Sequence, residues 1–401
     1  MVASPEPITA NETGEELSAS LKALCPRKEI FEAVQTVGHA VSGRTSLPIL
    51  NHILVRSENA GLRLIATDLE LGISCWIPAQ MEERGALTAP AKTLSEVLAN
   101  MPDRGEVALS VDKSHTVRLY CEKSDYKILG LPAEEYPSLP TVVDAVCFSI
   151  PQATLRDMIR QTIFAASQDE TKAILTGILM VFEGETVKLV STDTHRLAVK
   201  TARVTNGQGS RNAIIPARAM NELIRLLTDG AGDVDITISE NQIRFALPGE
   251  AGVQIIARLI EGQFPNFQRV IPAAHQRRIS VPVDPFLRAV RRAAIVARDN
   301  SQRVILRTEE DRLVLTAEAT TIGKAYEEIE VLCEGEPIEI AFNAKYLLDV
   351  LSVIDAEAVH LDMTEPLKPG VMRPVVDAPE GDPANALEAD YLCVLMPMQI
   401  V

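Results

Sequence analysis

The stretch GLRLIATDLELGISC at residues 61–75 has the apolar and polar alternation of β structure, and it returns twice along the chain. TVKLVSTDTHRLAVK at 186–200 repeats it closely, and DRLVLTAEATTIGKA at 311–325 repeats it more loosely. One threonine of each copy aligns at a period of about 125 residues: Thr67, Thr192 and Thr316. We therefore predict one folding unit that is present three times.

Two segments with the apolar spacing of amphipathic helices accompany each copy. The segments before the copies are RKEIFEAVQTVGHAV from 27, PQATLRDMIRQTIFAA from 151 and PVDPFLRAVRRAAIVAR from 282. The segments after them are APAKTLSEVLANM from 89, IPARAMNELIRLL from 215 and FNAKYLLDVLSVI from 342, which place Ala91, Ala217 and Ala344 at the same period. The predicted fold class is α+β, with three similar domains.

Proline-bearing connectors near 131–142 and 264–276 mark the ends of the first two repeats. We predict domains at 21–142, 143–275 and 276–401. Residues 1–20 contain acidic but no basic side chains, which predicts a disordered acidic tail. Residues 377–390 are rich in Ala, Pro, Asp and Glu, which predicts a flexible acidic loop.

The charge of the chain argues against a simple basic nucleic-acid binder, because 39 basic and 55 acidic residues give a net charge of −16. Much of the acidity lies in the predicted tail and loop. The six cysteines form no C-x-x-C pair, which favours a reducing cytoplasm. No apolar run reaches the roughly 18 residues that a membrane span needs.

Basic side chains nevertheless recur on helix faces. In the helix predicted from 282, Arg288, Arg291, Arg292 and Arg298 share one face, and the opposite face is apolar: Phe286, Val290, Ala293 and Ala297. Arg156, Arg160, Arg218 and Arg225 add basic residues to two other helices. A single pair of arginines is most often solvated surface, but the recurrence favours sequence-independent contacts to phosphates.

The sequence contains no recognisable motif of a catalytic site. It has no P-loop, no G-x-G-x-x-G turn, no H-E-x-x-H helix and no G-x-S-x-G elbow, and its six histidines show no metal-ligand spacing. The cluster from Thr192 to Arg196 contains His195, which could act as a general base. The first repeat keeps Thr67 and Asp68 but lacks the histidine, so we interpret the shared Thr-Asp as turn chemistry. We expect no enzyme, no metal and no cofactor.

Seven phrases in order resemble the bacterial sliding clamp family, the β subunit of DNA polymerase III. They are GRTSLPILNHILV at 43, ATDLELGI at 66, STDTHRLAV at 191, EGQFPNFQRVIP at 261, FNAKYLLDVL at 342, PLKPGVMRPV at 366 and YLCVLMPM at 391, and the resemblance covers about residues 20–401. It implies a head-to-tail homodimer that forms a ring around duplex DNA, with helices inside and sheets outside. Such a ring is a polymerase processivity factor that a clamp loader opens and that acts at the replisome in the cytoplasm.

The resemblance also implies roles for individual residues. DNA contacts fall on Arg44, Arg218 and Arg225, with Lys172 as an addition, and we infer the basic face of Arg288, Arg291 and Arg292 as a further DNA contact. The ring interface falls on Tyr126 and Ile128 of one subunit and Ile295 and Val296 of the other. A pocket for short partner peptides falls on Leu175, Thr192, His195, Arg196, Leu197, Pro265, Arg269, Val270, Asn343, Tyr346, Val394, Leu395, Met396, Pro397 and Met398.

The chain departs from the family pattern at a few positions. Thr194 stands where the family usually has glycine, Gln399 replaces a common terminal arginine, and Val401 extends the end. Thr194 would change the pocket rim and with it the choice of partner. Two alternatives remain at this point: a clamp paralogue that acts mainly as a protein-docking scaffold, and an enzyme built on a related α+β repeat.

Overall fold

The computed structural model describes residues 20–41, 47–103, 105–140, 142, 145–207, 209–375 and 391–400. Arg44, the predicted loop at 377–390, Val401 and the predicted tail apart from Ser20 lie outside the described residues. The chain forms two compact units. Of the described residues, the first unit contains those up to Gln152 together with Arg225–Leu259, and the second contains those of Ala153–Ile224 together with those from Ile260 onward. The domain boundaries at 142 and 275 stay a prediction.

Six α-helices occur among the described residues, two for each predicted repeat: α1 Arg27–Gly38, α2 Ala91–Ala99, α3 Gln152–Thr162, α4 Ala217–Leu226, α5 Val283–Ala297 and α6 Ala344–Leu351. The three alanines that align in the sequence are the first residues of α2, α4 and α6, so the predicted helix starts are confirmed. Each of these helices begins directly after a strand that ends in Pro90, Pro216 or Asn343.

The first compact unit contains a five-stranded antiparallel sheet in the order β5-β1-β7-β8-β9. Its strands are β1 Lys22–Pro26, β5 Gln80–Glu83, β7 Glu106–Val111, β8 Thr116–Cys121 and β9 Ser124–Leu129. Eight more strands follow each other in the order β10-β16-β17-β18-β4-β3-β2-β6. They are β2 His52–Glu58, β3 Gly61–Thr67, β4 Leu71–Pro78, β6 Ala86–Pro90, β10 Val146–Pro151, β16 Asp233–Ile238, β17 Gln242–Ala246 and β18 Gln254–Arg258.

The second compact unit contains a nine-stranded sheet in the order β15-β11-β12-β13-β27-β26-β25-β19-β23. Its strands are β11 Gly177–Glu183, β12 Thr186–Thr192, β13 Arg196–Arg203, β15 Ser210–Pro216, β19 Arg277–Pro282, β23 Leu332–Glu334, β25 Ala358–Met363, β26 Gly370–Pro374 and β27 Tyr391–Leu395. A four-stranded sheet has the order β22-β21-β20-β24, with β20 Arg303–Thr308, β21 Arg312–Ala319, β22 Gly323–Glu330 and β24 Glu339–Asn343. The short strand β14 is Asn206–Gly207.

Each copy of the repeated phrase forms a β hairpin, which explains why it contains two alternating runs. Thr67 ends β3 and Thr192 ends β12, so both stand at the hairpin corner. The alignment of Thr316 with them is wrong, because Thr316 lies inside β21 and pairs with Tyr326. The strand of the third hairpin continues to Ala319, which moves the corner farther along the chain.

The helix α5 has the two faces that its sequence predicts. All four residues of the apolar face are completely buried, and they pack in a core with strands of both sheets of the second unit: Phe286, Val290, Ala293 and Ala297. The four arginines of the other face are exposed. Among the described residues, no helix is both long enough and apolar enough to cross a membrane.

Candidate functional site

The hairpin corner at residues 192–196, here named the second corner, is held by its own side chains. The Thr192 hydroxyl donates to the Arg196 carbonyl at 2.7 Å and accepts from the Thr194 N–H at 3.2 Å. Asp193 Oδ1 accepts from the backbone N–H groups of His195 at 2.9 Å and Arg196 at 3.0 Å. The interpretation of Thr-Asp as turn chemistry is confirmed, because both side chains are engaged by the backbone of the turn.

Arg196 links this corner to two other parts of the second compact unit. Its guanidinium is 3.0 Å from the Asp193 carboxylate and 2.5 Å from that of Asp349 in α6, and it donates to the Phe164 carbonyl at 2.5 Å. The Tyr346 ring lies 4.4 Å from the guanidinium carbon. The Arg196 side chain is only 7% exposed, so its charge is compensated by two carboxylates rather than by water.

An apolar cavity of about 210 Å³ opens beside the second corner. Its floor belongs to a buried cluster in which Leu197 and Val394, from neighbouring strands β13 and β27, take part. The connector that follows Ile260 supplies one wall. The cavity, which we name the apolar cavity, is lined by Leu175, Thr192, Thr194, Arg196, Leu197, Pro265, Asn266, Phe267, Val270, Val394 and Met396. Its size and mainly apolar lining suit one or two aliphatic or aromatic side chains of a ligand.

The structure brings eight of the fifteen predicted pocket residues onto this lining: Leu175, Thr192, Arg196, Leu197, Pro265, Val270, Val394 and Met396. His195 and Tyr346 stack on each other beside Arg196, with ring centroids 6.4 Å apart. Burial and the nearby Asp193 carboxylate raise the pKa of Tyr346. The remaining predicted residues are Arg269, Asn343, Leu395, Pro397 and Met398.

Leu395 differs most from the expectation, because its side chain is completely buried in the other core of the unit. Alternate residues of a strand face opposite sides, so Val394 faces the apolar cavity and Leu395 does not. Asn343 caps α6 by accepting from the Lys345 N–H at 2.9 Å. Met398 forms an isolated β-bridge with Ala341, and this bridge holds the segment that contains Met396.

Asn266 and Phe267 line the apolar cavity but were not predicted to do so. Asn266 is the N-cap of the short helical turn Phe267–Val270, and Phe267 packs on the buried cluster beneath the cavity. Both residues belong to the phrase EGQFPNFQRVIP, so the family resemblance is the signal in the sequence that could have located them. Thr194, which the sequence marks as a departure from the family, is also part of the lining.

The predicted DNA-contacting side chains that the structure describes are exposed: Lys172, Arg218, Arg225, Arg288, Arg291 and Arg292. Arg288 and Arg292 take part in ion pairs on the surface. Arg288 lies 2.9 Å from Asp284, and Arg292 lies 2.5 Å from Glu327. For Arg291 there is no ion pair within the described part of the chain. The basic face of α5 is therefore partly compensated by carboxylates in the free subunit.

The four predicted interface residues differ in their exposure. Tyr126 is 40% exposed on β9, which is the last strand of its sheet, whereas Ile128 on the same strand is 8% exposed. On α5, Ile295 is 57% exposed and Val296 packs partly against the buried core. Tyr126 and Ile295 are thus the members of this set whose side chains are available to a second subunit.

The described residues contain no group of three or more His, Cys, Asp or Glu side chains that could hold a metal ion.

Three domains of one family match the chain in order. Residues 21–140 match the N-terminal domain of the DNA polymerase III beta subunit, residues 149–266 its central domain, and residues 268–380 its C-terminal domain.

Individual relatives agree with this match. The beta sliding clamp of Halalkalibacterium halodurans is 32% identical over 86% of this chain and 94% of that protein. The beta sliding clamp of Synechocystis is 30% identical over 95% of this chain and 100% of that protein. The crystal structure of the Bacillus subtilis DNA polymerase sliding clamp superposes with a TM-score of 0.88 at 29% identity, and the match covers 95% of this chain and 100% of that one.

Three repeated α+β domains that match this family in order define a DNA clamp. The chain belongs to the DNA polymerase III beta subunit family, the bacterial sliding clamps. It is accordingly a processivity factor of DNA replication and not an enzyme. The alternative of a paralogue that serves mainly as a docking scaffold is not favoured by these relatives.

Proposed function

We propose that two copies of this chain associate head to tail into a closed ring around duplex DNA. The ends of two sheets support this arrangement. β9 and β22 each stand last in the strand order of their sheet, and both carry exposed aromatic side chains, Tyr126 and Tyr326. Edge strands offer unpaired backbone groups to another chain. Contact between two different edges is heterologous, and it closes into a ring when the rotation allows it.

Within this ring, the exposed arginines and lysine named above, together with Arg44, would contact DNA phosphates without reading the bases. The ion pairs of Arg288 and Arg292 support weak contacts, because each guanidinium exchanges a carboxylate for a phosphate. A ring that is held by topology does not need tight phosphate contacts. The ring would be opened by a clamp loader and act at the replisome in the cytoplasm.

The apolar cavity is the proposed docking site for short peptides of the polymerase and other replication proteins. The single observation that carries this proposal is the exposed apolar lining next to a fixed corner, where Val270 is 46% and Met396 is 38% exposed. Exposed apolar surface in a concave site is the usual mark of a protein-binding groove. The Bartonella birtlesii sliding clamp, 30% identical to this chain with a TM-score of 0.87, has been solved bound to griselimycin.

The ring is tested by the mass in solution and by retention on DNA after loading. A dimer that stays on circular DNA and leaves linear DNA through its free ends would support the ring. A monomer, or equal retention on both DNAs, would contradict it. Because the test compares two topologies of one DNA, ordinary charge attraction cannot produce the expected difference.

The docking site is tested with Val270→Asp, which places a charge on the rim of the apolar cavity. We expect binding of a labelled peptide with a Leu-Leu anchor to weaken about tenfold or more, because a carboxylate would be desolvated by the bound anchor. Leu332→Asp is the matched control, since Leu332 is 76% exposed on β23 and does not line the cavity. Equal affinities of the two variants would refute this assignment.

A further inference from the structure

A second cavity of about 170 Å³ lies in the same compact unit, and it is lined partly by charged side chains. We name it the polar cavity. His275, Arg278, Asp362 and Arg373 surround it, together with the connector residues from Pro272 to Ala274. The charged residues come from β19, β25, β26 and the connector before them, so three neighbouring strands position the group.

The side chains that line the polar cavity include two guanidinium groups and one carboxylate. Asp362, whose side chain is 8% exposed, accepts from Arg278 Nε at 2.6 Å and Nη2 at 2.9 Å. Arg373 Nε is 3.8 Å and His275 Nδ1 is 3.9 Å from the same carboxylate, both beyond hydrogen-bond distance. Within the lining of the polar cavity, one carboxylate therefore faces two guanidinium groups and an imidazole. Glu334 does not line the cavity, but it is the cross-strand partner of Arg278 and also compensates its charge. Arg373 has the weaker contact with a carboxylate, so its guanidinium favours one further negative group.

Arg373 supplies the donors for such a group. Its side chain is only 24% exposed, and within the described part of the chain its guanidinium makes no hydrogen bond. Arg278 spends two of its donors on Asp362 and keeps the Nη1 group. A planar guanidinium fork matches the two oxygens of a carboxylate, which makes a carboxylate the fitting occupant of this small cavity.

The polar cavity adjoins the apolar cavity. The connector lines the apolar cavity from Pro265 to Val270 and the polar cavity from Pro272 to His275. Val371 lines the polar cavity, Val394 lines the apolar cavity, and the two valines are cross-strand partners in one buried cluster. Cross-strand partners lie about 5 Å apart. An extended peptide that occupies the apolar cavity therefore reaches the polar cavity within a few residues.

We propose that the polar cavity binds an acidic side chain of the same peptide whose apolar anchor occupies the apolar cavity. This inference rests on the proposed docking function. It adds a charge requirement to that function: a partner segment carries a Glu or Asp a few residues from its apolar anchor. A carboxylate there would accept hydrogen bonds from the guanidinium donors that Asp362 leaves unused.

The test uses the full-length protein and labelled peptides in pairs. Each peptide has a Leu-Leu anchor, then one to four Gly-Ser linker residues, then Glu or Gln. We expect the wild-type protein to prefer the Glu peptide about five- to tenfold at one linker length, and the preference to fall with added salt. Arg373→Gln should abolish the preference, so that the Glu and Gln peptides bind with about equal affinity. Arg373→Lys should keep part of the preference.

Arg312→Gln is the control for the loss of one positive charge, because Arg312 lies on β21 and lines neither cavity. It should keep the Glu preference. Equal binding of Glu and Gln peptides by the wild-type protein, or an unchanged preference in Arg373→Gln, would overturn the inference while leaving the docking site in place. Failure of both peptides to bind at all would overturn the docking site and the inference together. Thermal unfolding of each variant confirms that the protein is folded.

Discussion

The second corner and its counterpart at residues 67–71, here named the first corner, share one hydrogen-bond pattern. In the first corner the Thr67 hydroxyl donates to the Leu71 carbonyl at 2.9 Å, and Asp68 Oδ1 accepts from the N–H groups of Glu70 and Leu71. The third residue has a positive φ in both corners, 79° at Leu69 and 82° at Thr194. The local turn is the same, so it cannot explain why the second corner adjoins the apolar cavity.

The difference lies in what covers each corner. At the first corner, the Tyr136 hydroxyl donates to the His52 carbonyl at 3.1 Å and accepts from the Thr67 N–H at 3.3 Å. Leu139 lies over Gly72, where a β-carbon would be only 2.4 Å from a leucine methyl group. The connector therefore closes this corner with its own side chains, whereas the corresponding space at the second corner is open as the apolar cavity.

At the second corner, the position that pairs with the threonine is Leu197 instead of glycine. Leu197 forms part of the floor of the apolar cavity, and the connector residue Phe264 has no hydroxyl to bind the strand backbone. Two copies of one turn therefore differ in their surroundings, because the residue after the turn and the connector that reaches it differ.

The largest expected effect comes from Arg196→Ala, which removes the charged centre of the second corner. The substitution leaves the Asp193 and Asp349 carboxylates, 15% and 29% exposed, without their cation. We expect the free energy of unfolding to fall by about 3 to 5 kcal/mol, because a partly buried charge loses its compensation. Urea denaturation measures this loss, and binding of the Leu-Leu peptide should weaken as the cavity wall is lost.

The first corner offers the control, Arg258→Ala. Arg258 lies 3.7 Å from Glu70, and both side chains are more than half exposed. An exposed ion pair contributes less than about 1 kcal/mol. If Arg258→Ala costs as much stability as Arg196→Ala, the second corner has no special dependence on its arginine.

The features that depend on neighbours in the sequence could be predicted. The helix starts at Ala91, Ala217 and Ala344 and the turn around Asp193 follow from spacing and side-chain chemistry. The contact of Leu139 with Gly72 and the contacts of Arg196 with Asp349 and Phe164 could not be predicted, because they join segments far apart in the chain. The family resemblance located most of the apolar cavity, but it could not tell that Leu395 faces the other core.

Tyr136→Phe tests the closure of the first corner. Tyr136 is 7% exposed, and the loss of its hydroxyl leaves two buried backbone groups with one partner fewer. We expect a loss of about 1 to 3 kcal/mol in the free energy of unfolding. Tyr120→Phe is the control, since Tyr120 is 45% exposed and its change should stay within about 0.5 kcal/mol. A neutral Tyr136→Phe would mean that apolar packing alone closes the corner.

Acid should weaken the first corner through His52, whose carbonyl accepts from Tyr136. Burial lowers the pKa of His52 below its ordinary value of 6.5. The unfolded state then binds more protons, so stability is full above pH 6.5 and is lost as the pH falls toward the folded pKa. His52→Gln should flatten this dependence in thermal unfolding between pH 7.5 and about 5, relative to the wild-type protein. His360, whose pKa is also lowered by burial, remains in both proteins and cancels. Identical pH profiles would exclude a role for His52.

The smallest expected effect is a difference in stability between glycine variants at the two positive-φ positions, Thr194 and Leu69. Thr194→Gly and Leu69→Gly both remove a side chain from the left-handed conformation, while the hydrogen bonds to the backbone N–H of each position remain. A β-branched residue is strained most there, at about 1 to 2 kcal/mol, and glycine offsets part of the gain by about 0.5 to 1 kcal/mol of backbone entropy. Thr194→Gly should therefore stabilise the protein by about 0.5 to 1 kcal/mol and Leu69→Gly by less, as calorimetry can show. If Thr194→Gly instead destabilises the protein, the threonine side chain contributes packing to the cavity rim that exceeds its backbone strain.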